Sequence, residues 1–98
     1  MVILHSKIGC ENCTKVKHMF DKYEISYSID MHKSMAHLSK KLSDTIFSDE
    51  IYNFNSFPIV TDGNWIGDYQ MIIEKYEEPL LANYESKYAI YPLKYPDV

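Results

Sequence analysis

The sequence has no arginine, and its ten cationic side chains are all lysines against fourteen aspartates and glutamates, which leaves a net charge of -4. Proteins that bind nucleic acid present a basic surface to the phosphates, and arginine pairs with phosphate especially well. The composition therefore argues against a nucleic-acid partner.

Long apolar runs are also missing. None approaches the roughly 18–20 residues that a membrane-spanning helix needs. The apolar opening, residues 1–4, is followed at once by polar residues, so it is too short for the apolar region of a secretory signal. We therefore expect a cytoplasmic protein that does not associate with membranes.

The chain holds only two cysteines, Cys10 and Cys13. A disulfide scaffold would spread its cysteines along the chain to close long loops, whereas this pair closes almost none. In a reducing compartment, a Cys-x-x-Cys pair indicates redox chemistry or metal binding. The chemistry of the protein is therefore expected at these two residues.

The remaining composition describes one small domain, since 98 residues with 46% hydrophobic side chains can bury one core. The spacing of apolar residues predicts the order β-α-β-α-β-β-α. Strands are predicted at residues 2–4, 25–29, 57–60 and 65–66, and helices from Cys13 to Tyr23, over residues 34–48 and after Asp68. Their predicted core faces are Cys13, Val16, Phe20 and Tyr23, then Met35, Leu38, Leu42 and Ile46, then Tyr69, Ile72, Ile73 and Tyr76.

The order of these segments predicts a mixed sheet. A helix joins the first two strands, and such right-handed crossovers place the strands parallel. Asp62-Gly63 is a hairpin signal, which predicts an antiparallel pair beside them. The predicted fold class is α/β, with a four-stranded mixed sheet flanked by helices over residues 1–78. Residues 79–98 are predicted to form a tyrosine-rich C-terminal extension packed on the same domain.

Cys10 lies where the first predicted strand leads into the first helix. Unpaired N–H groups at a helix N-terminus favour negative charge, and the thiolate is the nucleophilic form of cysteine. Lys7 adds a positive charge on the same side, whereas Glu11 opposes the thiolate. Cys13 lies one turn further on and can reach Cys10, which indicates a nucleophile followed by a resolving cysteine.

These features resemble the glutaredoxins, within the wider thioredoxin-like fold, over roughly residues 1–78. The order of elements and three motifs carry the resemblance. The motifs are residues 7–13 (KIGCENC), with the family's lysine before its cysteine pair, residues 56–58 (SFP), where the family has a cis proline, and residues 66–69 (IGDY), which resemble its glycine turn into the last helix.

The resemblance implies a role for each matching residue. Cys10 corresponds to the nucleophile and Cys13 to the resolving cysteine. The implied glutathione-binding residues are Lys7, Phe57, Pro58, Gly67, Asp68, Tyr69 and Gln70. Met71 departs from the family, because many glutaredoxins place there an aspartate that receives the glutathione amine.

We therefore expect a thiol–disulfide oxidoreductase that reduces protein or mixed disulfides, takes glutathione as co-substrate, needs no metal and works as a monomer. Two alternatives stay open. Met71 is compatible with a thioredoxin-like redoxin recycled by a flavoprotein reductase, for example an electron donor to ribonucleotide reductase. The spacing C-x2-C-x18-H-x4-H is compatible with a non-enzymatic zinc module; its ligands would be Cys10, Cys13, His32 and His37. His5 and His18 are interpreted as a strand-end residue and a solvated helix residue.

Overall fold

The structure is a computed structural model that describes residues 1–79, in which a four-stranded mixed sheet is flanked by helices. Its strands are β1 (Val2–Ser6), β2 (Ser28–Met31), β3 (Ile59–Asp62) and β4 (Trp65–Gly67). Its helices are α1 (Glu11–Lys22), α2 (Met35–Lys41) and α3 (Tyr69–Ile72), with a 3-10 turn at Glu50–Asn53 and a π-helical turn at Ile73–Glu77. The predicted fold class is confirmed, whereas the predicted extension lies outside the described residues except for Pro79. No helix among residues 1–79 is both long enough and apolar enough to cross a membrane.

The sheet order is β2-β1-β3-β4, with β1 parallel to β2 and antiparallel to β3. Strands β3 and β4 form the predicted antiparallel hairpin. His5 near the end of β1 pairs with Ile59 at the start of β3, and Gly67 at the end of β4 pairs with Val60. The end of β1, the start of β3 and the end of β4 therefore meet at one end of the sheet.

Helix α1 forms as predicted and buries Cys13, Val16, Met19 and Phe20. It ends with Glu24 in the left-handed region (φ 57°), and the Ile25 N–H donates to the Phe20 carbonyl at 2.9 Å. This is the Schellman ending of a helix.

The second strand was predicted at residues 25–29, but its pairing with β1 begins at Ser28. The Ile25 N–H is already used by the end of α1. The side chains of Ile25 and Tyr27 pack against the core cluster that contains Phe20. Their alternation with polar residues therefore reflects packing under a helix and not strand pairing.

The second helix was predicted over residues 34–48, but α2 ends at Lys41. Serine and threonine hydroxyls compete for backbone groups just beyond that point. The Ser43 hydroxyl donates to the Lys40 carbonyl at 2.7 Å, and the Thr45 hydroxyl donates to the Leu42 carbonyl at 2.7 Å.

The early end of α2 changes which residues fill the core. Ile46, predicted to be buried, is 66% exposed. Phe47 and Ile51 are buried instead, beside Leu38 and Leu42.

The hairpin turn lies one residue later than its sequence signal. Asp62 still pairs with Trp65, so the two turn residues are Gly63 and Asn64. Gly63 adopts a φ of +62°, which glycine takes without a steric penalty.

Side chains of the sheet alternate between two core clusters. Ile59 belongs to one cluster and the adjacent Val60 to the other, as expected for successive residues of a strand. The first cluster contains Cys13, Leu38, Leu42, Phe47, Ile51, Phe57, Ile59 and Ile66. The second contains Leu4, Val16, Met19, Phe20, Val60 and Ile72. The cysteine pair therefore rests directly on the first cluster.

Candidate active site

Cys10 and Cys13 form a disulfide at the N-terminus of α1. Cys10 is the N-cap residue, and the Cys13 N–H donates to its Sγ at 3.1 Å. A side-chain acceptor at this position satisfies one of the N–H groups that a helix leaves unpaired at its start. The same N–H groups favour negative charge on Cys10 Sγ once the disulfide is reduced.

The two cysteines differ in exposure. Cys13 is buried, with 4% of its surface accessible, whereas Cys10 is partly exposed. A cavity of about 330 Å³ lies beside Cys10. It is lined by Leu4, Ser6, Lys7, Gly9, Cys10, Glu11, Cys13, Thr14, Lys17, Ile29 and Met31. A substrate sulfur can therefore approach Cys10 from solvent, while Cys13 faces the core.

Lys7 and Phe57 lie close together near this cavity. The Lys7 ammonium is 6.0 Å from the centroid of the Phe57 ring, at the limit of a cation–π contact. Phe57 is buried and belongs to the core cluster on which Cys10 packs. The Phe57-Pro58 peptide bond is cis, the isomer that the resemblance implies, and Pro58 is fully buried.

The remaining predicted binding residues lie at the start of α3. Gly67 is buried, Asp68 and Tyr69 are half-buried, and Gln70 is exposed. The Asp68 carboxylate caps α3 by accepting the Met71 N–H at 3.2 Å, as predicted for a helix start. Tyr69 packs against the second core cluster, and the Gln70 amide donates to Glu74 at 3.2 Å.

The predicted site residues thus meet at one end of the sheet but do not all line one cavity. Lys7 lines the cavity beside Cys10, together with both cysteines. Phe57, Pro58 and residues 67–70 are not among the residues that line it. Phe57 and Pro58 precede β3, and Gly67 ends β4, with residues 68–70 directly after it. Strand β3 lies beside β1, and β4 lies beyond β3.

A chain of polar side chains lies next to this site and was not predicted; His5, His32 and Thr61 are buried, and His37 at its end is exposed. His5 Nδ1 is 3.0 Å from His32 Nε2, and His5 Nε2 is 3.0 Å from the Thr61 hydroxyl. The other nitrogen of His32, Nδ1, is 3.4 Å from Nδ1 of His37. The His32 ring also stacks on Phe57, with centroids 6.0 Å apart. The sequence carried no signal for it, because the pairing of β1 with β2 and β3 brings these residues together.

The pKa values of His5, His32 and Asp30 are shifted, the first two mainly by burial and the third mainly by an ion pair. Burial lowers the pKa of His5 to about 4, and the nearby His32 adds to the effect, so His5 is neutral at pH 7. Burial also lowers the pKa of His32. A hydrogen bond from Lys41, at 2.7 Å, holds the pKa of the Asp30 carboxyl below its usual range.

The four ligands of the zinc alternative do not form one cluster. Cys10 and Cys13 are bonded to each other, and His32 contacts His5 and His37 instead. Within residues 1–79, the only close group of three or more His, Cys, Asp or Glu ligand atoms is that of His5, Asp30 and His32.

Comparisons with known proteins identify the fold. No family model matches the sequence, and no curated protein matches it. A solved structure described as glutaredoxin 1 from Francisella tularensis complexed with cacodylate is similar, with a TM-score of 0.57 and 18% sequence identity. The similarity covers 83% of this chain and 95% of that one. The chain therefore has the thioredoxin-like fold of the glutaredoxins.

Proposed function

We propose that this chain is a thiol–disulfide oxidoreductase of the glutaredoxin type, with Cys10 as the nucleophile and Cys13 as the resolving cysteine. The observation that carries the proposal is the asymmetry of the pair on this fold. Cys10 caps a helix and faces a cavity, whereas Cys13 is buried behind it. A helix N-terminus favours the thiolate that attacks disulfides.

The proposed cycle starts from the reduced pair. The Cys10 thiolate attacks one sulfur of a substrate disulfide, whose other sulfur leaves as a thiolate and takes up a proton. Cys13, after losing its proton, attacks Cys10 Sγ, which releases the second substrate thiol and forms the Cys10–Cys13 disulfide. Two glutathione molecules then reduce this disulfide and leave as oxidised glutathione.

Glutathione is proposed to bind between the cysteines and the start of α3. Among the residues that the resemblance implies, Lys7 is the candidate for a glutathione carboxylate, because it lines the same cavity as Cys10. Phe57 and Pro58 precede β3, and Gly67 ends β4, with residues 68–70 directly after it, at the same end of the sheet. Asp68 would bind the amine in place of the aspartate that Met71 replaces, and its carboxylate would then serve that amine and the Met71 N–H together.

The decisive test compares Cys10→Ser with Cys13→Ser in glutathione-coupled reduction of a glutathionylated peptide. Loss of Cys10 should abolish turnover, because the remaining thiol, Cys13, is buried. Loss of Cys13 should leave Cys10 able to accept glutathione from the peptide, which intact mass would detect as a mixed disulfide on Cys10 when no free glutathione is added. Turnover by Cys10→Ser, or an adduct on Cys13 in preference to Cys10, would overturn the assignment.

A second candidate keeps the dithiol and changes its reductant to a flavoprotein reductase. The exposed thioether of Met71 favours it, because a thioether cannot pair with the glutathione ammonium as a carboxylate does. Equilibration in graded glutathione buffers separates the two candidates. A potential of about -200 to -230 mV with a transient adduct supports glutathione, whereas one of about -270 mV without an adduct supports the reductase.

The proposed chemistry also fits the remaining expectations. A dithiol that must be reduced again in every cycle is suited to a reducing compartment such as the cytoplasm. Both cysteines lie on one chain, so a monomer suffices for the cycle. The proposed substrates are protein disulfides and glutathione mixed disulfides.

A further inference from the structure

His5, Asp30 and His32 bring three metal-ligand atoms together at the junction of β1 and β2. Both histidines are almost fully buried, at 3% and 4% exposure. His5 Nδ1 and His32 Nε2 lie 3.0 Å apart, and each is 3.9 Å from the same carboxylate oxygen of Asp30. The parallel pairing fixes this group, because His5 stands opposite Asp30 and the His32 N–H donates to the Ser6 carbonyl at 2.8 Å.

The spacing of the three atoms suits a small divalent ion. In the plane of the three atoms, the point equidistant from them lies about 2.1 Å from each, which matches zinc–nitrogen distances of about 2.0–2.1 Å and zinc–oxygen distances of about 2.0–2.2 Å. Two imidazoles and one carboxylate are also a ligand set that zinc takes when its fourth position is left to water. Distances and donor types therefore agree.

The outer nitrogens of both imidazoles have partners that orient the rings. His5 Nε2 lies 3.0 Å from the Thr61 hydroxyl, and His32 Nδ1 lies 3.4 Å from Nδ1 of His37. When these outer nitrogens donate their protons outward, both inner nitrogens carry lone pairs toward the point between them. Metal-bound histidines are held in this way by outer hydrogen bonds.

The group is accessible from one side. A cavity of about 420 Å³ opens on His5, Asp30, Lys41 and Thr61, so a water ligand has room to complete the coordination. The Asp30 side chain is 34% exposed and lies at the mouth of the group. Lys41, at the end of α2, is half exposed and holds the same carboxylate oxygen at 2.7 Å. Its ammonium therefore competes with a metal ion for Asp30.

We propose that His5, Asp30 and His32 form a binding site for a divalent transition-metal ion of the zinc type, with water as the fourth ligand. The site uses neither cysteine, so it differs from the zinc module considered from the sequence and from the proposed redox centre. The proposed metal site lies next to the proposed redox centre, because the His32 ring stacks on Phe57. The proposal departs from the sequence-based expectation that the protein needs no metal and from the interpretation of His5 as a strand-end residue. It leaves the cysteine chemistry unchanged.

The test uses the untagged full chain with the Cys10–Cys13 disulfide intact, so that no thiol can bind metal. Zn²⁺ binding is measured by calorimetry, and Co²⁺ binding by visible absorption. We expect one ion per chain, with the d–d bands of low-coordinate Co²⁺ and without a thiolate-to-metal charge-transfer band. Absence of saturable binding would overturn the proposal. Because the disulfide stays closed throughout, the result is independent of whether the chain is an oxidoreductase.

Variants locate the bound ion. Asp30→Asn and His32→Gln should each weaken Zn²⁺ binding about 10–100-fold or more. Loss of a residue that only hydrogen-bonds to a metal ligand already weakens binding by that factor. His18→Gln, an exposed histidine on α1, is the matched control and should bind as the wild type does. Equal affinities in Asp30→Asn and His18→Gln would overturn the proposal.

Lys41→Met keeps the test informative if a histidine variant fails to fold. Removal of a competing surface ion pair should tighten Zn²⁺ binding about two- to fivefold. This change lies on a half-exposed side chain, so circular dichroism should show an unchanged fold. Weaker binding in Lys41→Met would contradict the assignment of Asp30 as a ligand.

Discussion

Replacing Gly67 with alanine tests how closely the hairpin packs on α3 beside the proposed glutathione residues. A Cβ at Gly67 would lie 2.7 Å from Cζ2 of Trp65, closer still to its Cη2, and 2.9 Å from Cβ of Met71. Real Cβ atoms essentially never approach other heavy atoms so closely. The indole must therefore shift or the backbone at the start of α3 must move.

The expected magnitude follows from two opposing effects. Extra volume in a well-packed region costs about 1–3 kcal/mol. Gly67 does not have a positive φ, so alanine also gains about 0.4–1 kcal/mol by restricting the unfolded chain. With central values of about 2 kcal/mol for the cost and about 0.7 kcal/mol for the gain, the net loss in free energy of unfolding should be about 1.3 kcal/mol, which lowers Tm by about 5–10 °C for a domain of this size.

Urea unfolding followed by circular dichroism measures the loss, and the fluorescence of Trp65, the single tryptophan, reports whether its ring has moved. The matched control is Gly67→Ala in a Trp65→Thr background. The cost should shrink there, with an interaction free energy of about 0.5–3 kcal/mol between the two sites. A loss below 0.5 kcal/mol with unchanged fluorescence, or an equal loss in both backgrounds, would refute the packing argument.

Three further predictions follow from the described residues. Glu24→Gly should raise the urea midpoint by the equivalent of about 1 kcal/mol, since glycine takes the left-handed φ without strain; a lower midpoint would contradict the strain argument. Ile46→Lys should change stability by less than about 0.5 kcal/mol because the residue is exposed, whereas Phe47→Ala should cost about 3–5 kcal/mol; the reverse order would restore the longer second helix predicted from the sequence. Burial and a 2.6 Å hydrogen bond to Asp62 raise the pKa of Tyr76, so its stabilising contribution is present below the ordinary tyrosine pKa of about 10 and is lost as pH rises above it. The stability difference between wild type and Tyr76→Phe should accordingly be constant below that pH and fall above it, and a difference that grows with alkaline pH would contradict this.

The sequence was informative wherever a local signal agreed with the tertiary structure. The helical spacing of Val16 and Phe20 identified α1 and its buried face, and Asp68 was found correctly as a helix cap. The cysteine pair was placed at a helix start, where Cys10 caps α1. These features depend on contacts within a few residues of each other.

The predictions from the sequence were wrong where one local pattern of residues is compatible with two different local structures. The alternation around Ile25 and Tyr27 suits a paired strand, but the same alternation serves side chains that pack beneath α1. The apolar spacing through Ile46 suits a helix, but it does not show the hydroxyl hydrogen bonds that accompany the end of α2. Only the surrounding packing separates these cases.

The element order, the fold class and the position of the cysteine pair could be predicted without the structure, because each rests on periodicity, on capping residues or on neighbouring residues in the chain. Cys13, predicted on the core face of α1, is buried, but the cavity that opens beside Cys10 became visible only in the folded structure. The folded structure alone joined His5, Asp30 and His32, because the register of β1 against β2 and β3 brings together residues that are distant in the chain. Such contacts leave no periodic trace in the sequence, since they depend on how strands pair and not on how residues follow one another.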